Sequence, residues 1–262
     1  MTKAIVIASG KGGVGKTTTA INIGTALIYF GRSAVVVDAN LRNPNVGLHL
    51  GSPVTPTHFH DVLKQRKGIG DALYRHHSGL RIIPADISYE ASQEDLHKKI
   101  PDVLIELTGK VDYVIIDSPP GLGSDFREVV KCADEVVIVT TPDMPSITDS
   151  LKTIRYCEEK GIKVSGVIVN KIRGDNNELV DENIQALLEK RVLGKISHDE
   201  AVREALNIKH PVCYSHPNTK ASNNFKEVTA QLLGERYMES IEKKERSGLF
   251  NYVLRALGLR NG

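Results

Sequence analysis

Short runs of apolar and β-branched residues recur along the chain, and a segment long enough for a helix separates each run from the next. Continuous apolar runs are typical of strands buried on both faces, as in a parallel sheet covered by helices. We therefore predict an α/β fold with a mostly parallel central sheet and helices on both of its faces. The predicted strands are Ala4–Ala8, Ala34–Val37, Leu80–Ile83, Tyr113–Ile116, Val136–Thr140, Val164–Val169 and the weaker Val192–Ile196.

The chain divides into one long domain and a short tail. No repeat, low-complexity tract or linker interrupts residues 1–235, so we expect a single domain there. A charged linker and an amphipathic segment follow in residues 236–262.

The C-terminal tail has a pattern of its own. Apolar residues recur on one face of a predicted helix, and residues 246–262 contain three arginines and no acid. This pattern is typical of an interfacial helix attracted to anionic lipid, and a terminal helix folded back on its domain or used as a dimer contact is the alternative. The predicted membrane-contact residues are Leu249, Phe250, Val253, Leu254 and Leu257.

Composition narrows the possible functions. Hydrophobic residues make up 40% and charged residues 25%, and a formal net charge of +2 gives no general attraction to nucleic acid. The three cysteines lie far apart without a C-x-x-C pair, so we expect neither a disulfide framework nor a cysteine-based metal site. With no apparent signal peptide and no long apolar run, we expect a cytoplasmic protein that is at most peripheral to a membrane.

A glycine-rich segment follows the first predicted strand and precedes a predicted helix at Thr18–Phe30. It matches G-x-x-x-x-G-K-[ST], a loop whose backbone N–H groups surround phosphates at the start of a helix. In such a loop Lys16 neutralises phosphate charge and the Thr17 hydroxyl binds Mg²⁺. The sequence thus predicts a P-loop NTPase fold. The predicted nucleotide-binding residues of the loop are Gly10, Lys11, Gly12, Gly13, Val14, Gly15, Lys16, Thr17 and Thr18.

A dinucleotide-binding interpretation competes for the same glycines, because three of them also match G-x-G-x-x-G and Asp38 ends the second strand run. That interpretation gives no reason for a Lys-Thr pair directly after the last glycine. It also does not ask for Asp117 at the end of a later strand. The phosphate loop is therefore the stronger interpretation.

Polar residues follow several of the predicted strands. In a parallel sheet, ligands bind beyond the carboxyl ends of the strands, so these residues are candidates for a binding site. Asp117 can hold Mg²⁺ directly or through water, opposite Thr17. The amide of Asn170 can contact an adenine edge, although a plain turn asparagine explains it almost as well. The polar segments are Asp38–Arg42, Asp117–Gly121, Thr141–Asp143 and Asn170–Lys171.

The loop and several other segments resemble the MinD/ParA group of ATPases over residues 3 to about 233, most closely its archaeal MinD-type members. The other segments are Val37–Gly51, Ile116–Gly121 and His216–Pro217. The resemblance implies ATP and Mg²⁺ as ligands and a homodimer in the ATP-bound state. It also implies that Lys11 reaches the nucleotide of the partner and that Asp149 is the helical acid that pairs with such a lysine. A cation from the partner would stabilise transferring charge in the dimer.

One segment departs from that group. Many relatives have D-x-D after the second strand, and the second aspartate positions the attacking water, whereas this chain has Asp38-Ala39-Asn40. We place Asp38 and Asn40 with Lys11 and Lys16 among the catalytic residues. An amide can orient water but cannot accept its proton, so we expect a weak basal ATPase.

The resemblance implies a MinD-like switch at the inner face of the cell membrane that positions division or other machinery, with an activating protein as a partner. A ParA-like partitioning ATPase, a bacterial tyrosine kinase and an iron–sulfur carrier share the loop. The balanced charge, the missing tyrosine-rich tail and the missing cysteine pairs, respectively, disfavour them. The pairs His58/His60 and His76/His77 are interpreted as surface or turn histidines rather than metal ligands.

Overall fold

An eight-stranded sheet forms the centre of the computed structural model, which describes residues 1–52, 55–175, 178–235 and 237. The strands are β1 (Lys3–Ala8), β2 (Ala34–Asp38), β3 (Tyr74–Arg75), β4 (Arg81–Ile83), β5 (Tyr113–Asp117), β6 (Glu135–Thr140), β7 (Val164–Ile172) and β8 (Val192–Ser197). Their order across the sheet is β3-β4-β2-β5-β1-β6-β7-β8. Every neighbouring pair is parallel except β3–β4, which confirms the predicted α/β class.

Eleven α-helices accompany these strands in the described part of the chain. They are α1 (Lys16–Tyr29), α2 (Val46–His49), α3 (Phe59–Leu63), α4 (Tyr89–Ser92), α5 (Ile100–Leu104), α6 (Ser124–Val129), α7 (Met144–Glu159), α8 (Asp181–Leu188), α9 (Glu200–Asn207), α10 (Val212–Ser215) and α11 (Lys220–Leu233). Short 3₁₀ helices cover Ile69–Ala72, His97–Lys99, Ile105–Leu107 and Val130–Cys132. Among these described helices, none is both long enough and apolar enough to cross a bilayer.

Alternate residues of each central strand face opposite sides of the sheet, which produces two hydrophobic layers. In β1, Ile5 and Ile7 join the layer that contains α1 and α11, whereas Val6 and Ala8 join the layer that contains α6 and α7. Because both faces are covered, the strands are apolar at successive positions, and this is the continuous pattern visible in the sequence.

The glycine-rich segment lies at the point of the sheet where the connections between strands change direction. The chain leaves β1 through α1 toward β2 on one side of the sheet, and it leaves β6 through α7 toward β7 on the other side. In open α/β sheets the crevice at such a point, beyond the carboxyl ends of the strands, is where ligands bind.

Three details differ from the sequence-based expectations. The helix predicted from Thr18 begins two residues earlier, at Lys16. Strand β7 continues to Ile172, so that Asn170 lies inside the strand instead of after it. The edge strand β3 was missed, because two residues paired antiparallel with β4 carry no periodic signal. Its formation depends on a neighbouring strand.

Candidate functional site

The glycine-rich loop connects the end of β1 to the start of α1 and packs tightly against two other elements. Gly15 precedes α1 with a φ of 97°, and a Cβ atom there would lie 2.3 Å from Nδ2 of Asn170. A Cβ atom at Gly10 would lie 2.2 Å from the backbone carbonyl carbon of Asp149 in α7. Glycine is therefore required at both places, and the loop is held between β7 and α7.

Lys16 is a largely buried cation at the start of α1. Its side chain donates a hydrogen bond of 2.9 Å to the hydroxyl of Ser9, which donates in turn to the backbone carbonyl of Lys11. Burial lowers the pKa of Lys16, and the nearby carboxyl of Asp117 acts in the opposite direction. A buried ammonium beside free N–H groups of a helix start is a favourable place for an anionic phosphate.

Thr17 and Asp117 meet as the sequence analysis expected. The Thr17 hydroxyl donates a 2.6 Å hydrogen bond to Oδ2 of Asp117, which ends β5 and is 1% exposed. The other carboxyl oxygen, Oδ1, is buried and has no hydrogen-bond partner in the described structure. Burial raises the pKa of Asp117, although Thr17 and Lys16 oppose this shift. An unpartnered carboxylate oxygen beside a hydroxyl is a donor set that suits Mg²⁺.

Asp38 ends β2 and accepts hydrogen bonds from the backbone that follows the strand. Its Oδ1 accepts from the backbone N–H of Asn40, and its Oδ2 accepts from the N–H groups of Asn45 and Val46, at 2.8–3.2 Å. The residue is fully buried, and burial together with Asp117 raises its pKa. In this structure Asp38 holds the loop after β2 and the start of α2, and its assignment as a catalytic residue stays a prediction.

Asn40 lies on the wall of a cavity of about 410 Å³ that faces the phosphate loop. The side-chain amide of Asn40 donates to the backbone carbonyl of Asn43 at 2.6 Å, which fixes its orientation. Other residues that line this cavity are Gly12, Lys16, Thr17, Asn43, Pro120 and Lys171. The structure thus brings Asn40 to the same cavity as Lys16 and Thr17, which the sequence analysis predicted from the strand ends.

Lys11 is at the surface of the loop and pairs within the chain. Its Nζ lies 3.3 Å from Oδ1 of Asp143, the residue that precedes α7. Burial acts to raise the pKa of Asp143, but hydrogen bonds from Thr141, Ser146 and Lys11 lower it to about 2. Asp149, the acid that the resemblance assigned to such a lysine, is paired here with Lys152 at 3.0 Å. The acid beside Lys11 in the single chain is therefore Asp143.

A second cavity, of about 350 Å³, lies on the other side of the loop. Gly15, Thr18 and Asn170 form one wall, and apolar residues of β8, α9 and α10 form much of the rest, including Ile196, Leu206 and Val212. The sequence analysis missed these apolar residues, because the pattern of their strand and helices explains them equally well as core.

Asn170 lines this second cavity and also contacts the loop. Its Nδ2 donates to the carbonyl of Val14 at 2.7 Å, and its Oδ1 accepts from the N–H of Lys171. The side chain of Lys171, a residue with a φ of 62°, donates to the carbonyl of Gly13 at 2.7 Å. Two successive residues of β7 therefore hold the carbonyl groups of the loop.

Two of the discounted histidines are buried, which corrects their interpretation as surface residues, although the backbone of His76 begins a turn that ends at Gly79. His60 is 2% exposed, and its Nδ1 accepts from the backbone N–H of Asp86. His76 is 9% exposed and lies against His210, with 3.1 Å between Nε2 and Nδ1. The short polar sequence around each histidine gives no sign of the distant residues that cover it.

The tail predictions concern residues that the structure does not describe. Leu249, Phe250, Val253, Leu254 and Leu257 lie outside the described residues, as do most of residues 236–262. Their proposed contact with membrane rests on the sequence pattern.

Comparison with known proteins agrees with this geometry. Residues 5–212 match the family described as the CobQ/CobB/MinD/ParA nucleotide binding domain. An uncharacterised ATP-binding protein of Methanocaldococcus jannaschii is 34% identical over 260 residues, which cover 99% of this chain and 98% of that protein. The septum site-determining protein MinD of Bacillus subtilis is 31% identical over 279 residues, which cover 100% of both chains.

A solved structure extends the likeness to the fold. The septum site-determining protein MinD of Pyrococcus horikoshii, complexed with Mg-ADP, has a TM-score of 0.85 and 30% identity. The match covers 88% of this chain and 96% of that chain. The resemblance to MinD/ParA ATPases and the P-loop NTPase fold, both predicted from the sequence, are confirmed.

Proposed function

The chain belongs to the CobQ/CobB/MinD/ParA nucleotide-binding family, and from this membership we propose that it is a MinD-like ATPase. It binds ATP with Mg²⁺, hydrolyses ATP slowly to ADP and phosphate, forms a homodimer when ATP is bound, and then associates with a membrane. The observation that carries the nucleotide chemistry is the Thr17–Asp117 pair beside the buried Lys16, with one carboxyl oxygen left unpartnered. The Mg-ADP bound to the Pyrococcus horikoshii relative supports the same ligand class.

Separate groups of residues in this chain hold the phosphates, the metal ion and the loop itself. The N–H groups at the start of α1 and the ammonium of Lys16 hold the phosphates, and Thr17 and Asp117 hold the metal ion. When bound, Mg²⁺ supplies neutralisation of the charge on the phosphate oxygens. Asn170 and Lys171 fix the loop by its carbonyl groups, so that its N–H groups stay directed at the phosphates.

The cavity beside Gly15 and Thr18 accepts the nucleobase. Its volume of about 350 Å³ and its apolar wall suit a flat aromatic ring, and the loop places the phosphates next to it. Because both polar atoms of the Asn170 amide already contact the protein, the role of Asn170 is to position the loop beside the base. Base specificity then depends on polar residues that line the cavity, such as Ser197, Asp199 and His210.

Slow hydrolysis follows from the groups near the transferring phosphate. Asn40 can orient a water molecule in the cavity of about 410 Å³, but its amide cannot accept a proton. Asp38, the nearby carboxyl, is buried and engaged by three backbone N–H groups. An activating protein partner that adds a polar or charged group would therefore raise the rate.

Dimerisation on ATP would use Lys11. An ion pair between partly exposed side chains such as Lys11 and Asp143 is worth about 0–1 kcal/mol, so the lysine can leave it at small cost. In exchange, Lys11 contacts the phosphate groups of the nucleotide bound to a second copy. These groups carry more negative charge than a single carboxylate. This exchange would make the dimer depend on the nucleotide.

Membrane association would follow from dimerisation. One short interfacial helix binds lipid weakly, whereas two copies in a dimer bind far more strongly through effective concentration. The apolar face at residues 249–257 and the arginines around it are the sequence features that support this step. The protein would then move between the cytoplasm and the inner face of the cell membrane as ATP is bound and hydrolysed.

Two measurements test the proposal. The first is Mg²⁺-dependent ATP turnover, which we expect to disappear in Lys16→Ala and to persist in Lys131→Ala, a surface lysine paired with Glu128. Turnover that is equal in both variants would contradict the nucleotide site.

The second measurement is sedimentation with anionic liposomes in ATP and in ADP. We expect ATP-dependent pelleting that is lost in Leu254→Asp and retained in Asn251→Asp, which adds the same charge outside the apolar face. Truncation after Glu245 should also abolish it. Turnover without pelleting would leave the ATPase intact and exclude the membrane step, and DNA or protein partners of the dimer would then be sought.

A further inference from the structure

A histidine and two aspartates converge in a cluster that shares no residue with the Thr17–Asp117 pair. Asp95, His97 and Asp125 each offer one ligand atom, and these atoms all lie within 4.8 Å of one another. Nδ1 of His97 is 3.6 Å from Oδ1 of Asp125 and 3.9 Å from Oδ1 of Asp95. Residues of three types of segment meet here: a loop, a 3₁₀ helix and the first turn of α6.

His97 is the unusual member of this cluster. It is 1% exposed, and within the described structure neither of its ring nitrogens makes a hydrogen bond of normal geometry, although the backbone of Ala39 is close enough to act on its pKa. The two carboxyl oxygens that face Nδ1 lie beyond the range of a hydrogen bond, which ends near about 3.2 Å. Buried polar atoms are nearly always satisfied in native proteins, so Nδ1, which faces the two carboxylates, calls for a ligand.

Arg42 orients the cluster without filling it. Its Nε lies 2.6 Å from Oδ2 of Asp125, which leaves Oδ1 directed at His97. Two carboxylates and one guanidinium give the group a net charge of −1, so that a divalent cation would be attracted. The hydrogen-bonded second oxygen of Asp125 is the kind of outer contact that fixes a metal-binding carboxylate.

We propose that Asp95, His97 and Asp125 form a binding site for a divalent transition-metal ion, with Zn²⁺ as the best match. An ion about 2.1 Å from two ligands separates them by about 3.4 Å at a tetrahedral angle and by about 4.2 Å when the three atoms are collinear. The two separations that involve Nδ1, 3.6 and 3.9 Å, lie within this interval, and the third pair, the two carboxylate oxygens, lies within 4.8 Å. One nitrogen and two oxygen ligands favour zinc over magnesium, which prefers oxygen alone.

The ion would connect parts of the chain that surround the nucleotide cavities. Arg42 follows the strand that ends at Asp38, and Asp125 follows the segment Asp117–Gly121. The other two ligands, Asp95 and His97, come from the segment before α5. A bound ion would hold α6 against that segment and stabilise the folded state by mass action, whether or not the chain hydrolyses ATP.

The direct test is Zn²⁺ binding to the full, tag-free chain by calorimetry, without nucleotide and with excess Mg²⁺ present. We expect one high-affinity site per chain. Asp95→Asn should weaken it at least tenfold, and because the Asp95 side chain is 65% exposed this change leaves the core untouched. His97→Gln should abolish it. Asp102→Asn, an exposed acid outside the cluster, should bind Zn²⁺ as the unmodified chain does.

Two further readouts do not depend on enzymatic activity. Co²⁺ added in place of zinc should produce a visible absorption band that His97→Gln removes. Zn²⁺ should raise the melting temperature of the unmodified chain and of Asp102→Asn, but not that of Asp95→Asn. The proposal is overturned if no saturable site is present, or if the site survives both cluster variants, as binding at His76 and His210 would.

Discussion

Lys11 of the phosphate loop and Asp143 at the start of α7 form an ion pair within one chain, 3.3 Å from Nζ to Oδ1. The same carboxylate accepts the backbone N–H of Ser146 and so caps α7. We predict that Asp143→Asn keeps this cap, since asparagine caps helices as well as aspartate, but releases the lysine. Because a surface pair is worth up to about 1 kcal/mol, the ATP-bound dimer should tighten by up to about fivefold.

Sedimentation velocity in ATP measures this effect. The control is Asp149→Asn, which removes an acid that pairs with Lys152 in the structure. If Asp149 makes the dimer contact that the resemblance implies, its variant weakens the dimer while Asp143→Asn strengthens it. A weaker dimer in Asp143→Asn would show that this carboxylate supports the dimer instead of competing with it.

Restoring an acid at position 40 should speed hydrolysis. Asn40→Asp places a proton acceptor in the cavity that also contains Lys16 and Thr17, and we expect turnover to rise several-fold. The new carboxyl would lie near the buried Asp38, so its pKa should be raised and the gain in turnover should grow with pH. The matched control, Asn43→Asp, adds the same charge to the wall of the same cavity. Equal turnover in all three proteins would exclude a water-positioning role for residue 40.

The glycines of the loop differ in what they tolerate. In Gly15→Ala the added Cβ would lie 2.3 Å from Nδ2 of Asn170. The alanine backbone would also have to adopt a φ of 97°. We expect a loss of at least about 2 kcal/mol, from left-handed backbone strain and from displacement of Asn170. In Gly12→Ala nothing lies within 4 Å of the new atom, so its melting temperature should match that of the unmodified chain. Similar melting temperatures for the two variants would refute the tight packing of the loop against β7.

Glu135 makes stability depend on acid pH. Burial acts to raise its pKa, but Lys163, Ser165 and Lys3 lower it to about 2. Its unfolded value is about 4.3, so the stabilisation is present above that pH and is lost as pH falls toward about 2. Since Lys163 is largely exposed, we discount the shift and expect Glu135→Gln to cost about 1–2 kcal/mol near neutral pH.

Chemical denaturation across pH measures this difference. The difference in the free energy of unfolding between the unmodified chain and Glu135→Gln should become smaller below about pH 4.3. Glu128→Gln removes one partner of a pair on the surface of α6 and should produce almost no gap at any pH. A gap for Glu135→Gln that does not change with pH would assign the loss to packing.

Local signals in the sequence determined the sheet, the phosphate loop and the meeting of Thr17 with Asp117. The four central predicted strands, at Ala4–Ala8, Ala34–Val37, Tyr113–Ile116 and Val136–Thr140, are nearly continuous apolar runs, and such runs are typical of strands buried on both faces. A parallel sheet then brings the residues after its strands to one edge. The meeting of Asp117 with the loop can therefore be predicted without any knowledge of side-chain contacts.

Only the tertiary structure decided the partners of individual side chains. Asp38 and Asn40 are two residues apart and both follow β2, yet one is turned inward to backbone N–H groups and the other lines a cavity. Asn170 contacts Val14, 156 residues away, and His97 faces Asp125 beneath Arg42. These contacts join segments distant in the chain, and their energies depend on burial and geometry that no local pattern of residues contains.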